Sequence, residues 1–165
     1  MFVNSGYLHD SRAPIKDKSR PLIVTSCGTY RLKTVKRLPT WRPKGRLDYQ
    51  LLYIVSGKGH FYFHGEDRVV YAGRMVLIQP RQEQRYEYFG GDKPEVYWVH
   101  FTGSDVKNIL RSYNIPMDDP IFYSGASSTY SYLFKEMIHE LQNCKTGYED
   151  LLAMYLRQIF LLVQR

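Results

Sequence analysis

The chain has 165 residues, of which 44% are hydrophobic and 24% charged, and its net charge is +7. These proportions are those of a folded globular protein and the length suits one domain with its own core, so extensive disorder is excluded. No stretch reaches the length of a membrane-spanning helix, and residues 1–10 lack the pattern of a secretion signal. Cys27 and Cys144 are far apart and form no zinc-type spacing, so we expect a cytoplasmic protein with reduced thiols.

The positive charge is concentrated near the N-terminus. Residues 1–46 contain eleven Lys and Arg against two acidic residues, a net charge of +9, whereas the remainder has a net charge of −2. A basic segment of this kind could contact nucleic acid or an anionic surface. Because it lacks both interleaved aromatic residues and a helix-turn-helix pattern, a solvated basic arm is the favoured interpretation.

Taken in chain order, the pattern first predicts a flexible arm over residues 1–20, which are polar and show no periodicity. Short apolar runs then alternate with turns rich in Gly and Pro at intervals of about ten residues, which is typical of an antiparallel β sandwich or barrel. The predicted strands are 22–25, 29–35, 49–55, 60–64, 68–71, 74–79, 84–89 and 95–101.

Beyond residue 103 the apolar spacing becomes helical. The pattern predicts a short helix over 105–113 and a longer one over 130–141, with N-cap candidates at Ser127, Ser128 and Thr129. A last helix is predicted from Asp150 onward, after a break at Gly147. Its pattern runs to Arg165 without a C-cap signal, so we expect the chain to be part of a longer protein.

The last predicted helix is apolar over a wide face. One seam consists of Leu151, Tyr155, Ile159 and Leu162, and an adjacent seam of Leu152, Leu156, Phe160 and Val163. Such a face can pack on its own domain through one seam and on a partner through the other. The alternative is that both seams are buried within the monomer.

Four segments resemble, in order, the sensor domain of the AraC/XylS family of bacterial transcription regulators. They are 42–59 (RPKGRLDYQLLYIVSGKG), 72–80 (AGRMVLIQP), 84–86 (QRY) and 96–103 (VYWVHFTG). The resemblance implies a mainly β fold, a cupin-type antiparallel barrel (a jelly roll) followed by two C-terminal α-helices. It divides the chain into an arm (1–20), a ligand-binding barrel (21–125) and a helical dimerisation segment (126–165).

The same resemblance implies a sensor without catalytic residues, metal or cofactor, whose barrel binds a small effector, often a sugar. It also implies that the arm folds over the occupied pocket, and that DNA is contacted only through a helix-turn-helix domain absent from these residues. No membrane partner is implied. The homodimer would form through the last helix, with contacts from Leu151, Leu152, Tyr155, Ile159 and Leu162.

Similarity to the family's arabinose sensor places sugar contacts at Arg42, Tyr86 and Trp98. These residue types suit a sugar, because Arg offers fixed donors, Tyr a donor and an acceptor, and Trp a flat face for C–H groups. Alternatively, Arg42 is a solvated loop cation and Trp98 a core residue. Val96 replaces a histidine that contacts the sugar in that sensor, which argues against arabinose itself but leaves a sugar-like effector.

A barrel of this type could instead be an enzyme. A metal site would need clustered histidines, but His60 and His64 would lie about 13 Å apart along a strand, and the third histidine position is Arg85. His100 is isolated and is expected to be structural. A metal-free sugar isomerase or epimerase, with Glu83, Tyr86 and Tyr88 as acid and base, remains an alternative. A dimerisation module with an empty barrel is a third possibility.

Overall fold

The computed structural model describes residues 1–165, apart from the side chain of Asp10. It contains ten strands and three α-helices, with 3-10 turns at Leu8–Asp10 and Gly90–Asp92. The strands are β1 (Phe2–Tyr7), β2 (Ile23–Arg31), β3 (Arg37–Arg42), β4 (Tyr49–Ser56), β5 (Lys58–Phe63), β6 (Glu66–Tyr71), β7 (Arg74–Ile78), β8 (Gln84–Phe89), β9 (Glu95–Thr102) and β10 (Ile121–Tyr123). The helices are α1 (Val106–Ser112), α2 (Ser128–Asn143) and α3 (Tyr148–Gln164).

The strands form two antiparallel sheets that enclose a barrel. The larger has the order β1-β2-β9-β4-β7-β10 and the smaller the order β3-β8-β5-β6. Alternation along β4 and β9 points Leu52, Ile54 and Val96 inward, where they pack against Phe61 and Tyr88 of the smaller sheet. The predicted mainly β jelly roll of the cupin type, followed by two C-terminal helices, is confirmed.

The other face of the larger sheet is covered by the helices. Leu51 of β4 and Val99 of β9 point outward and belong to the same cluster as Phe134 of α2 and Phe160 of α3. The larger sheet is therefore buried on both faces, which explains its long apolar runs. No helix of the described chain is both long and apolar enough to cross a membrane.

Two predictions of strands were wrong or incomplete. The predicted strands 22–25 and 29–35 are not separate, because residues 23–25 and 29–31 belong to one strand, β2, which is irregular between Val24 and Ser26. β3 was missed because its residues alternate between exposed and half-buried and include Pro39, as befits an edge strand. At the start of α2, by contrast, the predicted cap is present, since the Ser127 hydroxyl accepts a hydrogen bond from the Thr129 amide at 3.2 Å.

The N-terminal residues are not an irregular arm. Residues 2–7 form β1, which pairs with β2 along its whole length. On its other side, Nε2 of Gln142 in α2 donates hydrogen bonds to Asn4 Oδ1 and to the Ser5 carbonyl, both at 2.9 Å. A Cβ added at Gly6 would lie 2.6 Å from Cβ of Leu141, so the strand and the helix pack without spare space. Within the predicted arm of residues 1–20, only residues 11–20 have the irregular character that was predicted.

Candidate functional site

A cavity of about 320 Å³ opens at one end of the barrel, between the two sheets. Arg42 of β3, Tyr86 of β8 and Trp98 of β9 all line it, so the structure brings together the three predicted contact residues. The remaining lining residues are Tyr7, Arg12, Tyr30, Leu38, Thr40, Arg46, Gln50 and His100. Tyr7 and Arg12 show that the N-terminal segment reaches the mouth of this cavity.

Trp98 is held in the cavity wall by a glycine on the neighbouring strand. Gly28 of β2 is its direct partner in the sheet register. A Cβ at Gly28 would lie 2.4 Å from Cζ2 of the indole, so only glycine leaves space for the ring at this position. The Tyr7 ring lies 6.1 Å from the indole. Trp98 is half-buried and borders the cavity, which favours the contact role over a purely structural one.

Tyr86 is positioned by a buried glutamine on the opposite sheet. Nε2 of Gln50 donates a hydrogen bond to the Tyr86 hydroxyl at 3.2 Å, and the Tyr86 ring stacks on Phe61 at 5.0 Å. The Gln50 carbonyl oxygen, Oε1, is buried and accepts no hydrogen bond from the described residues. Gln50 thus presents a free acceptor among the residues that line the cavity.

His100 is a candidate site residue that the sequence analysis missed. Its Nδ1 lies 2.6 Å from Oγ of Ser26, and its ring centroid lies 4.9 Å from that of Trp98. Its Nε2 is buried without a hydrogen-bond partner among the described residues. Burial, together with the positive charges of Arg46 and Arg42, holds the pKa of His100 well below its ordinary value, so the ring is neutral at pH 7.

A signal for His100 existed in the sequence. Val96, Trp98 and His100 occupy alternate positions on β9 and therefore share one face of the sheet. Val96 lies in the packed apolar part of the barrel, whereas Trp98 and His100 lie at its polar end. Position 96 is thus a valine in the apolar part of the barrel, and the histidine of this strand face lies at position 100 beside the cavity.

Three arginines approach the cavity from different segments. Nη1 of Arg42 donates to Oε1 of Gln84 at 2.8 Å, and the side chain is half-buried, unlike a solvated loop cation. Arg46 is buried and pairs with Asp48 through two hydrogen bonds of 2.7 and 3.1 Å. Arg12 is exposed and places its guanidinium over the Tyr7 ring, 5.2 Å from the centroid.

The acid and base set of the alternative isomerase is not assembled. Glu83 is exposed and accepts a hydrogen bond from Nε1 of Trp41 at 3.1 Å, and it does not line the cavity. Tyr88 is fully buried in the apolar cluster, and burial raises the pKa of its hydroxyl well above the ordinary value. The described side chains also include no group of three or more His, Cys, Asp or Glu that could hold a metal ion.

The five residues predicted at the dimer interface separate into two groups. Leu152 and Ile159 are buried in the core between the helices and the larger sheet, so they cannot serve as an open contact surface of the monomer. The prediction that Leu152 and Ile159 contact a partner was wrong. The face of α3 that packs on the sheet includes residues of both predicted seams. Leu151 is exposed, whereas Tyr155 and Leu162 are half-buried.

The family of the chain follows from comparison with known sequences. A sequence model described as the AraC-like ligand binding domain matches residues 34–159, which include most of the cavity and much of α3. The chain belongs to the AraC-like ligand-binding domain family, as its resemblance to AraC-type sensors predicted. No curated protein sequence matches the chain at a significant level.

Solved structures agree with this assignment at the level of the fold. The chain is similar to an apo ToxT variant from Vibrio cholerae strain SCE256, with 14% identity and a TM-score of 0.50 over 87% of this chain and 55% of that one. It is also similar to ToxT from Vibrio cholerae O395 bound to (E)-4-(8-methylnaphthalen-1-yl)but-3-enoic acid, with 12% identity and a TM-score of 0.52 over 79% and 52%. The chain spans about half the length of these proteins.

Proposed function

We propose that this chain is the effector-sensing and dimerising domain of an AraC-type transcription regulator. It binds a sugar or sugar derivative inside the barrel and controls a DNA-binding domain elsewhere in a longer protein. The observation that carries this proposal is the pair of buried, unpartnered atoms Gln50 Oε1 and His100 Nε2 beside one cavity. Each buried polar atom without a partner costs about 1–3 kcal/mol, a cost that the hydroxyl groups of a ligand would remove.

The composition of the wall supports a sugar. Trp98 and Tyr86 offer flat aromatic faces for C–H groups, while Gln50 and His100 offer hydrogen-bonding atoms in fixed directions. The cavity of 320 Å³ lies at the lower end of the range of about 300–1,000 Å³ for small-molecule sites, which suits a monosaccharide. Apolar packing fills the rest of the barrel and leaves the polar end as the binding region.

Calorimetric screening against pentoses, hexoses and their glycosides tests this function. Binding without turnover supports a sensor, turnover supports the metal-free isomerase or epimerase, and no binding supports a dimerisation module. The chain has two tryptophans, and Trp41 is exposed on the outside of the barrel. Trp41→Phe therefore leaves Trp98 as the only indole, and sugar binding should change its fluorescence. Trp98→Phe should weaken binding, whereas Trp41→Phe should not.

The second copy in the proposed dimer would pack on the outer side of α3. Leu151, Met154 and Leu161 are exposed there, with Met154 62% exposed. An exposed apolar stripe of this kind on a helix is a frequent contact surface.

A further inference from the structure

The cavity is lined by more positive charge than the described side chains around it neutralise. Among its described lining residues there are three arginines and no Asp or Glu. Arg46 is neutralised by Asp48 through two hydrogen bonds. The Arg42 guanidinium donates a hydrogen bond to the neutral amide of Gln84, and Arg12 lies over the Tyr7 ring. Neither Arg42 nor Arg12 forms an ion pair with a described carboxylate.

The fixed position of Arg42 makes this charge available to a ligand. Its partner Gln84 is fully buried, and Oε1 of that side chain accepts a hydrogen bond from Nη1 of Arg42 at 2.8 Å. One hydrogen bond leaves most of the five guanidinium N–H donors free. Because Gln84 is neutral, it orients the guanidinium without cancelling its charge.

We propose that the effector carries an acid group, a carboxylate or a phosphate, which binds Arg42 and Arg12 while its ring hydroxyls meet Gln50 and His100. This inference rests on the proposed function of sugar sensing and names the class of sugar: a sugar acid or a sugar phosphate. An acid group forms charge-assisted, bidentate hydrogen bonds with arginine, which are about twice as strong as neutral ones. A neutral sugar would leave the half-buried Arg42 guanidinium without a counter-ion among the described side chains.

The state of His100 is consistent with this assignment. Arg46 and Arg42 both contribute to its low pKa, so the positive potential in the cavity reaches the histidine ring. An anion beside Arg42 reduces that potential. As a neutral ring, His100 can hydrogen-bond a sugar hydroxyl through Nε2.

The test is calorimetry on the complete chain with matched acid and neutral probes. The matched pairs are D-galacturonate with D-galactose and D-glucuronate with D-glucose. Two further probes are D-glucose 6-phosphate, which carries a phosphate, and cis-9-hexadecenoate, which is an acid without a sugar ring. We expect the best acid to bind at least about tenfold more tightly than its neutral counterpart at about 0.1 M salt, and the ratio to fall towards one at about 1 M salt. If the uronates bind more tightly than the sugar phosphate, the acid group of the effector is a carboxylate, and in the opposite case it is a phosphate.

Variants separate the acid group from the sugar ring. Arg42→Gln should lower the affinity for the acid by about tenfold or more while changing the affinity for the neutral partner much less. Arg12→Gln, at an exposed position, gives the same comparison if Arg42→Gln fails to fold. Arg85→Gln is the matched control, because Arg85 is exposed and lies over the Trp41 and Tyr62 rings. Its affinities should be unchanged.

The outcomes distinguish this inference from the proposed function. If neutral sugars bind as tightly as their acids, the acid-group inference is overturned and sugar sensing stands. If only hexadecenoate binds, and Arg42→Gln weakens it, the acid group stands and the sugar is rejected. If none of the probes binds, both are overturned.

Discussion

The indole of Trp98 lies against the backbone of Gly28 on the adjacent strand, at a distance that no side chain larger than hydrogen allows. We predict that Gly28→Ala displaces the indole and lowers effector affinity by about tenfold, because the ring no longer forms the cavity wall, and that it costs about 1–3 kcal/mol of stability. Fluorescence of Trp98 in the Trp41→Phe background and calorimetry measure the two effects. Gly91→Ala is the control, since no atom lies within 4 Å of a Cβ added there. If the indole fluorescence of Gly28→Ala were the same as that of the natural chain, the prediction would be contradicted.

His100 makes stability depend on pH in a defined direction. Its pKa in the folded chain lies well below the ordinary 6.5, so the unfolded chain takes up the proton first as the pH falls. The stability contributed by the neutral ring is complete above about pH 6.5 and is lost as the pH falls towards the lower folded pKa, by at most about 1.4 kcal/mol per pH unit. The polar and charged groups around the ring are Ser26, Gln50, Arg42 and Arg46.

Urea unfolding between pH 7 and pH 5 should therefore show a steeper loss of stability in the natural chain than in His100→Gln. His139→Gln, at an exposed position on α2, should keep the slope of the natural chain. Equal slopes in the natural chain and in His100→Gln would reject the role of this histidine.

The ion pair between Arg46 and Asp48 is buried, with the Asp48 side chain fully inaccessible to solvent. We predict that Asp48→Asn destabilises the chain by about 3–5 kcal/mol, because it leaves a buried guanidinium without its counter-ion. Asp119→Asn removes a comparable two-bond pair with Arg68 at the surface, and should cost at most about 1 kcal/mol. Chemical denaturation of both variants gives the comparison, and a similar cost for the two would contradict it.

The exposed side of α3 should control the oligomeric state. Leu151→Glu combined with Met154→Glu places charge in the proposed contact and should convert a dimer into a monomer in sedimentation experiments. Because both side chains are exposed in the single chain, the fold should persist. Tyr71→Glu is the matched control, since Tyr71 is exposed on β6, away from the helices, and should leave the mass unchanged. A monomeric natural chain, or a double variant of unchanged mass, would remove this surface from the dimer.

Much of the fold could be predicted because its central elements carry strong periodic signals. The runs of β4 to β9 are bounded by turn residues, and α2 has one apolar stripe with a Ser cap. Arg42, Tyr86 and Trp98 could be named because their segments resemble a known sensor in order. They converge in one cavity because the two sheets face each other.

The remainder depends on neighbours that the sequence does not specify. β1 and β3 are edge strands with much solvent contact, so their sequences lack the run of apolar residues that marks a buried strand. On α3, the buried residues Leu152, Leu156, Ile159 and Phe160 take members from both predicted seams. A helix with a wide apolar face can pack on a sheet in more than one rotation about its axis. Tertiary packing therefore decides which residues of α3 face the sheet.

β1 borders the cavity at one end and packs against α2 along its length. Tyr7 borders the cavity, while Gly6 lies against Leu141 and Ser5 is hydrogen-bonded to Gln142. Six consecutive pairs hold the strand to β2, so it is expected to move as a unit. A ligand in the cavity that displaces Tyr7 would therefore also displace Gly6, which lies against Leu141 of α2. Binding inside the barrel would in this way change the position of a helix that does not line the cavity.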